Sequence, residues 1–250
     1  CSSFRESKRF MSNEAGGGIH KLICLLCDSQ FSQDVTWRAL FLLKPDEKVC
    51  YSCRSKLKKI TGHICPLCGR PQSVHAVCRD CEVWRTRIRD SLLLRQNRSV
   101  YTYNDMMKET LSRFKFRGDA EIINAFKSDF SSTFSKVYPD KHFVLVPIPL
   151  SKEREEERGF NQAHLLAECL DRPSHHPLIR LNNEKQSKKK KTERLLSECI
   201  FDTKNNSAEG MNIILIDDLY TTGATLHFAA RCLLEKGKAA SVSSFTLIRS

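Results

Sequence analysis

Apolar positions change rhythm near residue 99. Ahead of it they come in ones, twos and threes between cysteine pairs, and no stretch sustains a helical or strand period. Beyond it, Met106, Met107, Leu111 and Phe114 fall at near-helical spacing, as do Ile122, Ile123, Phe126, Phe130 and Phe134, with Gly118 marking the turn between the two predicted helices. Phe143 to Ile148 reads as a buried strand stopped by Pro147 and Pro149, and Asn161 to Leu170 as a helix with Ala163, Leu166, Ala167 and Leu170 on one face. The run Ile213 to Ile216 is too short for a helix and suits a parallel strand covered on both faces. A helix over Gly223 to Lys236, ended at Gly237, and a last strand over Ser241 to Ile248 complete the series. This alternation predicts an α/β fold, a doubly wound parallel sheet with helices on both faces, and such sheets bind ligands beyond the C-terminal ends of their strands. The site is therefore expected just after Ile216.

Composition fits a folded chain: 250 residues with 40% apolar and 28% charged side chains, or one and a half to two average domains. No window approaches the roughly 18 uninterrupted apolar residues of a membrane span, and no long apolar stretch resembles a secretory signal, so a soluble, cytoplasmic protein is expected. The rhythm change suggests four parts: a tail over 1–18 ending in Gly16, Gly17 and Gly18, a small cysteine-rich domain over 19–82, a basic connector over 83–98 and the α/β domain over 99–250. The formal net charge is +12, of which residues 1–99 carry +9.

Eight cysteines form four pairs with two-residue gaps: Cys24 and Cys27, Cys50 and Cys53, Cys65 and Cys68, Cys78 and Cys81. Each is a zinc knuckle, in which a tight turn aims two sulfurs at one ion. Four knuckles supply two tetrahedral four-thiolate sites, which makes this domain a double zinc ribbon holding about two structural Zn2+. Such closed sites leave no position for catalytic water. A disulfide framework is the alternative, and the absence of a secretory signal weighs against it. Loop closure favours consecutive pairing, with a cross-braced arrangement left open. His63 and His75 lie close by but are superfluous beside eight thiols. Two thiolate-bound zinc ions would bring the net charge down to about +8.

The connector carries Arg85, Arg87 and Arg89 around Trp84 and Ile88. It is the candidate single-stranded DNA surface of the front half, with a plain solvated linker as the competing reading. Farther on, Lys188 to Lys191 lie within Glu184 to Arg194 and read either as a solvated loop or as a flap over phosphate.

After the strand ending at Ile216 comes Asp217-Asp218-Leu219-Tyr220-Thr221-Thr222-Gly223-Ala224-Thr225 and then a helix. Successive amides of Thr221 to Thr225 can converge on an anion, the helix dipole favours negative charge, and Gly223 lets the backbone approach closely. Two carboxylates just before this cradle would repel a phosphate, so they suit sugar hydroxyls or a hydrated Mg2+. The parts describe a phosphorylated sugar.

These nine residues, with four apolar ones before them, resemble the phosphoribosyl diphosphate (PRPP) signature of the type I phosphoribosyltransferases. Together with Val146-Pro147-Ile148-Pro149, Arg154, Arg158-Gly159-Phe160-Asn161-Gln162-Ala163, Gln186, Arg194 and the upstream Lys115-Phe116-Arg117-Gly118-Asp119, the chain is similar to the ComF family over about residues 22–249. The resemblance implies a type I phosphoribosyltransferase-like domain behind a zinc ribbon. In it the Thr221–Thr225 loop would hold the 5-phosphate, Asp217 and Asp218 would address ribose hydroxyls, and PRPP would come with Mg2+. The strand end at Pro147, with Arg154 and Arg158, would meet the diphosphate. The chain departs from the usual family pattern around Glu184-Lys185-Gln186 and in the lysine run. The resemblance also implies a competence factor that handles incoming single-stranded DNA in the cytoplasm beside a ComFA-like ATPase. An active phosphoribosyltransferase with a nitrogenous acceptor is the alternative, and PRPP sensing without turnover is a third.

Overall fold

A computed structural model describes residues 21–32, 48–87, 94–116, 118–140, 142–181 and 200–250. The tail, Arg89, Arg117, Gln186, the lysine run and Arg194 lie outside the described residues. So does the side chain of Arg87.

The front part is built from β1 (Lys21–Ile23) paired antiparallel with β2 (Gln30–Ser32), then α1 (Tyr51–Lys56) and α2 (Arg79–Arg87). Helix α2 carries Cys81 in its first turn and runs on past residue 82, so the expected connector is helical where it begins. The expected connector also ends inside β3 (Asn97–Thr102), a strand that apolar periodicity did not announce, since only Val100 and Tyr101 break its polar run.

Helix α3 (Asp105–Phe116) starts where Asn104 Oδ1 accepts the Met107 amide at 2.9 Å, and it buries Met107, Leu111 and Phe114 on one stripe. The next apolar run is not one helix. Ala120–Ala125 is a 3-10 turn followed by α4 (Lys127–Val137), with the Phe126 amide donating to the Ile123 carbonyl three residues back at 3.0 Å. Phe130 and Phe134 then pack on Phe245, the first tilted and the second edge-on, with centroids 4.7 and 5.3 Å away.

Strand β4 (Phe143–Pro147) leads to two short helices, α5 (Lys152–Arg158) and α6 (Gln162–Glu168). Ser151 caps the first, Gly159 at φ +74° ends it, and Asn161 caps the second. A small antiparallel ribbon follows, β5 (Leu178–Arg180) with β6 (Phe201–Thr203). Strand β7 (Asn212–Tyr220), helix α7 (Ala224–Glu235) and strand β8 (Ser241–Arg249) close the chain.

The main sheet runs β3-β8-β7-β4 with every pair parallel. Alternate residues of β7 serve two cores. Ile214 and Ile216 pack with Phe126, Phe130 and Leu166, whereas Ile213 and Leu215 pack with Leu226, Ala230 and Leu233 of α7. The parallel α/β sheet with helices on both faces is thus the architecture observed. One expectation needs correcting: β7 does not stop at Ile216. Its partner β4 ends there, at Pro147 opposite Ile216, but β8 continues, pairing Asp217 with Thr246 and Tyr220 with Arg249. The two aspartates therefore stand on a strand end supported from one side only.

Candidate anion site and metal centres

The cysteines converge as two consecutive sets, Cys24, Cys27, Cys50 and Cys53, and Cys65, Cys68, Cys78 and Cys81, each with its sulfurs within 4.8 Å of one another. A tetrahedral ion with Zn–S of about 2.3 Å sets its sulfurs roughly 3.8 Å apart. The Sγ separations of Cys27 and Cys50 (3.8 Å), Cys65 and Cys81 (3.8 Å), and Cys68 and Cys78 (3.6 Å) match that edge, far beyond a disulfide bond. Backbone amides donate to sulfur, Cys50 to Cys24 at 3.3 Å and Cys78 to Cys65 at 3.4 Å, as thiolate ligands require. His63 and His75 belong to neither set. The two four-cysteine sites hold structural zinc in consecutive pairing.

At the open end of the sheet, a cavity of about 170 Å³ is lined by Asp217, Asp218, Thr221 and Thr225 on one side and by Arg154, Arg158 and Arg180 on the other. The helical spacing of Arg154 and Arg158, four apart on α5, turns both toward it. Arg180 arrives from the ribbon strand β5. Burial lowers the pKa of Arg180, and repulsion from Arg154 and Arg158 lowers it further. Burial likewise lowers Arg158, with Arg154 adding to it. Asp217 offsets part of this for both arginines and Asp218 for Arg158, and three guanidiniums gathered around one small space make it a site that suits an anion.

The acidic pair is divided by environment. Asp218 is buried and pairs with Lys115 Nζ at 2.6 Å, a residue near the end of α3. Asp217 has its carboxyl pushed up to about 8 by burial and by the Asp218 charge beside it. Gly223 takes φ +82° as the N-cap of α7, and a Cβ there would run into the Tyr220 ring. Asn161 Nδ2 donates to the Ile148 carbonyl at 3.0 Å, and Arg158 Nη1 donates to Gln162 Oε1 at 2.9 Å, which holds the far wall in place.

A Double zinc ribbon domain profile matches residues 21–82. The chain is 34% identical over 227 residues to "Competence protein ComFC" of Streptococcus pneumoniae, a match that covers 90% of this chain and 99% of that one. The chain belongs to the ComFC family. ComFC likeness extends at 26% identity over 223 residues to "DNA utilization protein YhgH" of Escherichia coli (strain K12), covering 81% of this chain and 90% of that one. "Competence protein F" of Haemophilus influenzae is 23% identical over 212 residues, covering 75% and 91%. Among solved structures, a hypoxanthine phosphoribosyltransferase from Staphylococcus aureus superposes with a TM-score of 0.33 at 20% identity, over 52% of this chain and 65% of that one.

In this ComFC chain, the residues predicted from sequence for phosphate, sugar and DNA fall into four groups. Asp217, Asp218, Thr221, Thr225, Arg154 and Arg158 meet around one cavity. Thr222, Gly223 and Ala224 belong to its loop without lining it by side chain, and Thr222 Oγ1 instead accepts the Ala224 amide at 3.4 Å. Pro147 is buried at the end of β4 and does not reach the cavity, because its ladder position opposite Ile216 sends Ile148 and Leu150 there in its place. Arg85 lies elsewhere, exposed and 3.6 Å from Glu82, beside a separate cavity of about 700 Å³ that it lines with Trp84, Arg95 and His227. Sequence reasoning did not select Lys115 or Arg180 as binding residues. Lys115 stood in a quoted motif, whereas Arg180, on a three-residue strand, carried no signal at all. Among the described residues no helix is long and apolar enough to cross a membrane.

Proposed function

We propose that this protein is a DNA-uptake factor of natural transformation. It works in the cytoplasm with a ComFA-like ATPase and single-stranded DNA, and its sheet-end cavity takes a phosphorylated pentose of the PRPP type. The names of its relatives support the first half of this reading. One observation carries the second half, namely that a threonine-rich helix N-terminus, two strand-end carboxylates and three arginines line a single small cavity.

The division of labour follows from charge. Amides and hydroxyls of Thr221 to Thr225 take the ester phosphate, and Arg154, Arg158 and Arg180 take a second, more highly charged group by forked hydrogen bonds. Lys115 neutralises Asp218 and leaves Asp217 to meet ribose hydroxyls or a hydrated Mg2+. When bound, Mg2+ would offset diphosphate charge. If a nitrogenous acceptor reaches the ribose, the same arrangement supports phosphoribosyl transfer, which needs no protein nucleophile. Turnover and simple occupancy are separated by following diphosphate release from PRPP and Mg2+ with and without single-stranded DNA.

The test of the pocket is the double change Asp217→Asn with Asp218→Asn. Calorimetry is expected to show loss of Mg-dependent PRPP binding by a protein that keeps its fold and its two zinc ions. Unchanged affinity removes the sugar assignment.

A pH test goes further. A carboxyl raised in the folded state favours folding while protonated, so its contribution is complete below the ordinary carboxylate range and is lost as pH rises through about 8. A bound cation prefers the ionised form. Mg-dependent PRPP affinity is therefore expected to strengthen from pH 7 to pH 9 while stability of the free protein falls. Asp217→Asn should flatten both trends, and a slope that survives it places the titration elsewhere.

A further inference from the structure

Between the second zinc cluster and the proposed phosphate loop stands one buried cation, Arg249, the last residue of β8 and only 2% exposed. Its Nη2 donates to Cys68 Sγ at 3.3 Å and its Nε to the Cys68 carbonyl at 3.2 Å. Its Nη1 donates to the carbonyls of Tyr220 at 3.2 Å and Thr221 at 3.0 Å. The guanidinium lies over the Tyr220 ring, 4.6 Å from its centroid, and that ring in turn fills the space a Cβ at position 223 would need. The next loop carbonyl, that of Thr222, accepts from Trp84 Nε1 at 2.8 Å. Trp84 is three residues past Cys81 on α2, and its ring stacks on His227 of α7 at 4.3 Å.

Three consecutive carbonyls of the loop are thus held by side chains tied to one metal cluster. A trans peptide is a rigid plane whose carbonyl and following amide point in opposite directions. Fixing the carbonyls of Tyr220, Thr221 and Thr222 on the zinc side aims the amides of Thr221, Thr222 and Gly223 away from it, toward the cavity that Thr221 and Thr225 line. The left-handed Gly223 is what lets successive amides share a direction. A zinc centre with four thiolates is a dianion, which accounts for a guanidinium buried against Cys68 sulfur.

We propose that the second zinc cluster is the mould of the anion-binding loop, with Arg249 and Trp84 as positioning residues that transmit its occupancy to the amides of Thr221 to Gly223. This rests on the reading of that loop as a phosphate cradle and adds what sets its affinity. Coupling of this kind is reciprocal. Phosphate bound at the loop slows loss of zinc from Cys65, Cys68, Cys78 and Cys81, and leaves unaffected the first cluster, which among the described residues packs in the other core.

The experiment uses the full zinc-loaded chain with Trp84→Phe, which removes one donor and keeps a ring, and Arg249→Lys, which keeps the charge and loses the fork. Three readouts are taken: affinity for inorganic phosphate and PRPP, amide hydrogen exchange over residues 219–228, and zinc release to a chromogenic chelator with and without phosphate. Trp84→Phe is expected to retain two zinc ions, to bind phosphate about three- to tenfold more weakly as one hydrogen bond dictates, and to exchange faster across 219–228. Arg249→Lys is expected to show the larger effect on both counts and to abolish the protection of zinc by phosphate. Zinc-replete variants with wild-type exchange and wild-type phosphate affinity overturn the proposal. If the wild-type chain binds neither phosphate nor PRPP, the cradle reading falls on its own, and exchange over 219–228 in the two variants still decides whether the cluster shapes the loop.

Discussion

The two zinc clusters are built by the same local rule and set in opposite surroundings. Each begins with a knuckle whose fifth residue takes a left-handed turn, Asp28 at φ +59° in the first and Gly69 at φ +70° in the second. In the first, Cys27 is exposed and its sulfur meets Ser29 Oγ at 2.9 Å. That cluster packs on the core of α3 and α4 through Leu26 and Val49, and Arg113 Nη1 on α3 donates to the Leu26 carbonyl at 2.7 Å. In the second, all four cysteines are buried in the core shared with α7, and a guanidinium lies against Cys68. One cluster leaves its negative charge partly to water, and the other neutralises it inside the protein. Ligand spacing sets how a knuckle folds, whereas the residue opposite sets what the cluster is coupled to.

Removing one sulfur from each cluster should expose that contrast most sharply. Cys27→Ser opens a position that water can fill at the surface. Cys68→Ser weakens the second metal site and strips Arg249 of its counter-charge, and an uncompensated buried charge costs about 3–5 kcal/mol. Urea unfolding is expected to place Cys68→Ser below Cys27→Ser by about that amount, with metal analysis showing close to two zinc ions in the Cys27 variant and about one in the Cys68 variant. Equal losses would mean that Arg249 finds another partner and that the clusters are equivalent.

The knuckles and the strand-loop-helix order around Asp217 were legible because each is written within a few consecutive residues. Loop closure favoured consecutive pairing of the knuckles without excluding a cross-braced one, and the structure brings the cysteines together in the consecutive sets. What escaped depended on residues far apart in the chain. Strand β3 is mostly polar because Asn97 and Ser99 are used inside the protein, where Asn97 Nδ2 donates to the Cys68 carbonyl at 3.1 Å and Ser99 Oγ lies 2.6 Å from Thr246 Oγ1. A polar strand satisfied in this way has no alternating pattern to read. Arg180 and Arg249 reach their partners only through the fold, and an isolated arginine announces neither burial nor neighbour. The strand end was misjudged for a related reason, since β7 continues past Ile216 on the strength of its ladder with β8.

The left-handed turns allow a finer division of the two clusters. A non-glycine residue in that conformation costs about 1–2 kcal/mol, less for Asp or Asn, whose side chains bond locally. Asp28 bears this cost in the open, with its side chain 57% exposed and 3.3 Å from Arg113 Nη2. At Gly69 a Cβ would come within 2.9 Å of the Asn97 carbonyl oxygen, a backbone atom at the start of β3. Asp28→Ala therefore adds only the difference between alanine and aspartate in that conformation and removes the Arg113 ion pair, whereas Gly69→Ala imposes the full strain and a steric conflict with the strand. Urea midpoints are expected to show a loss of about 1 kcal/mol for Asp28→Ala and about 2–3 kcal/mol for Gly69→Ala. The part of the Gly69→Ala loss beyond the left-handed strain of about 1–2 kcal/mol measures how tightly the second knuckle is pressed against the sheet. A Gly69→Ala loss no larger than the left-handed strain would show that β3 yields without cost at Asn97, and the second cluster would then be held to the α/β domain by its hydrogen bonds, those of Arg249, Trp84 and Asn97 among them, rather than by close packing.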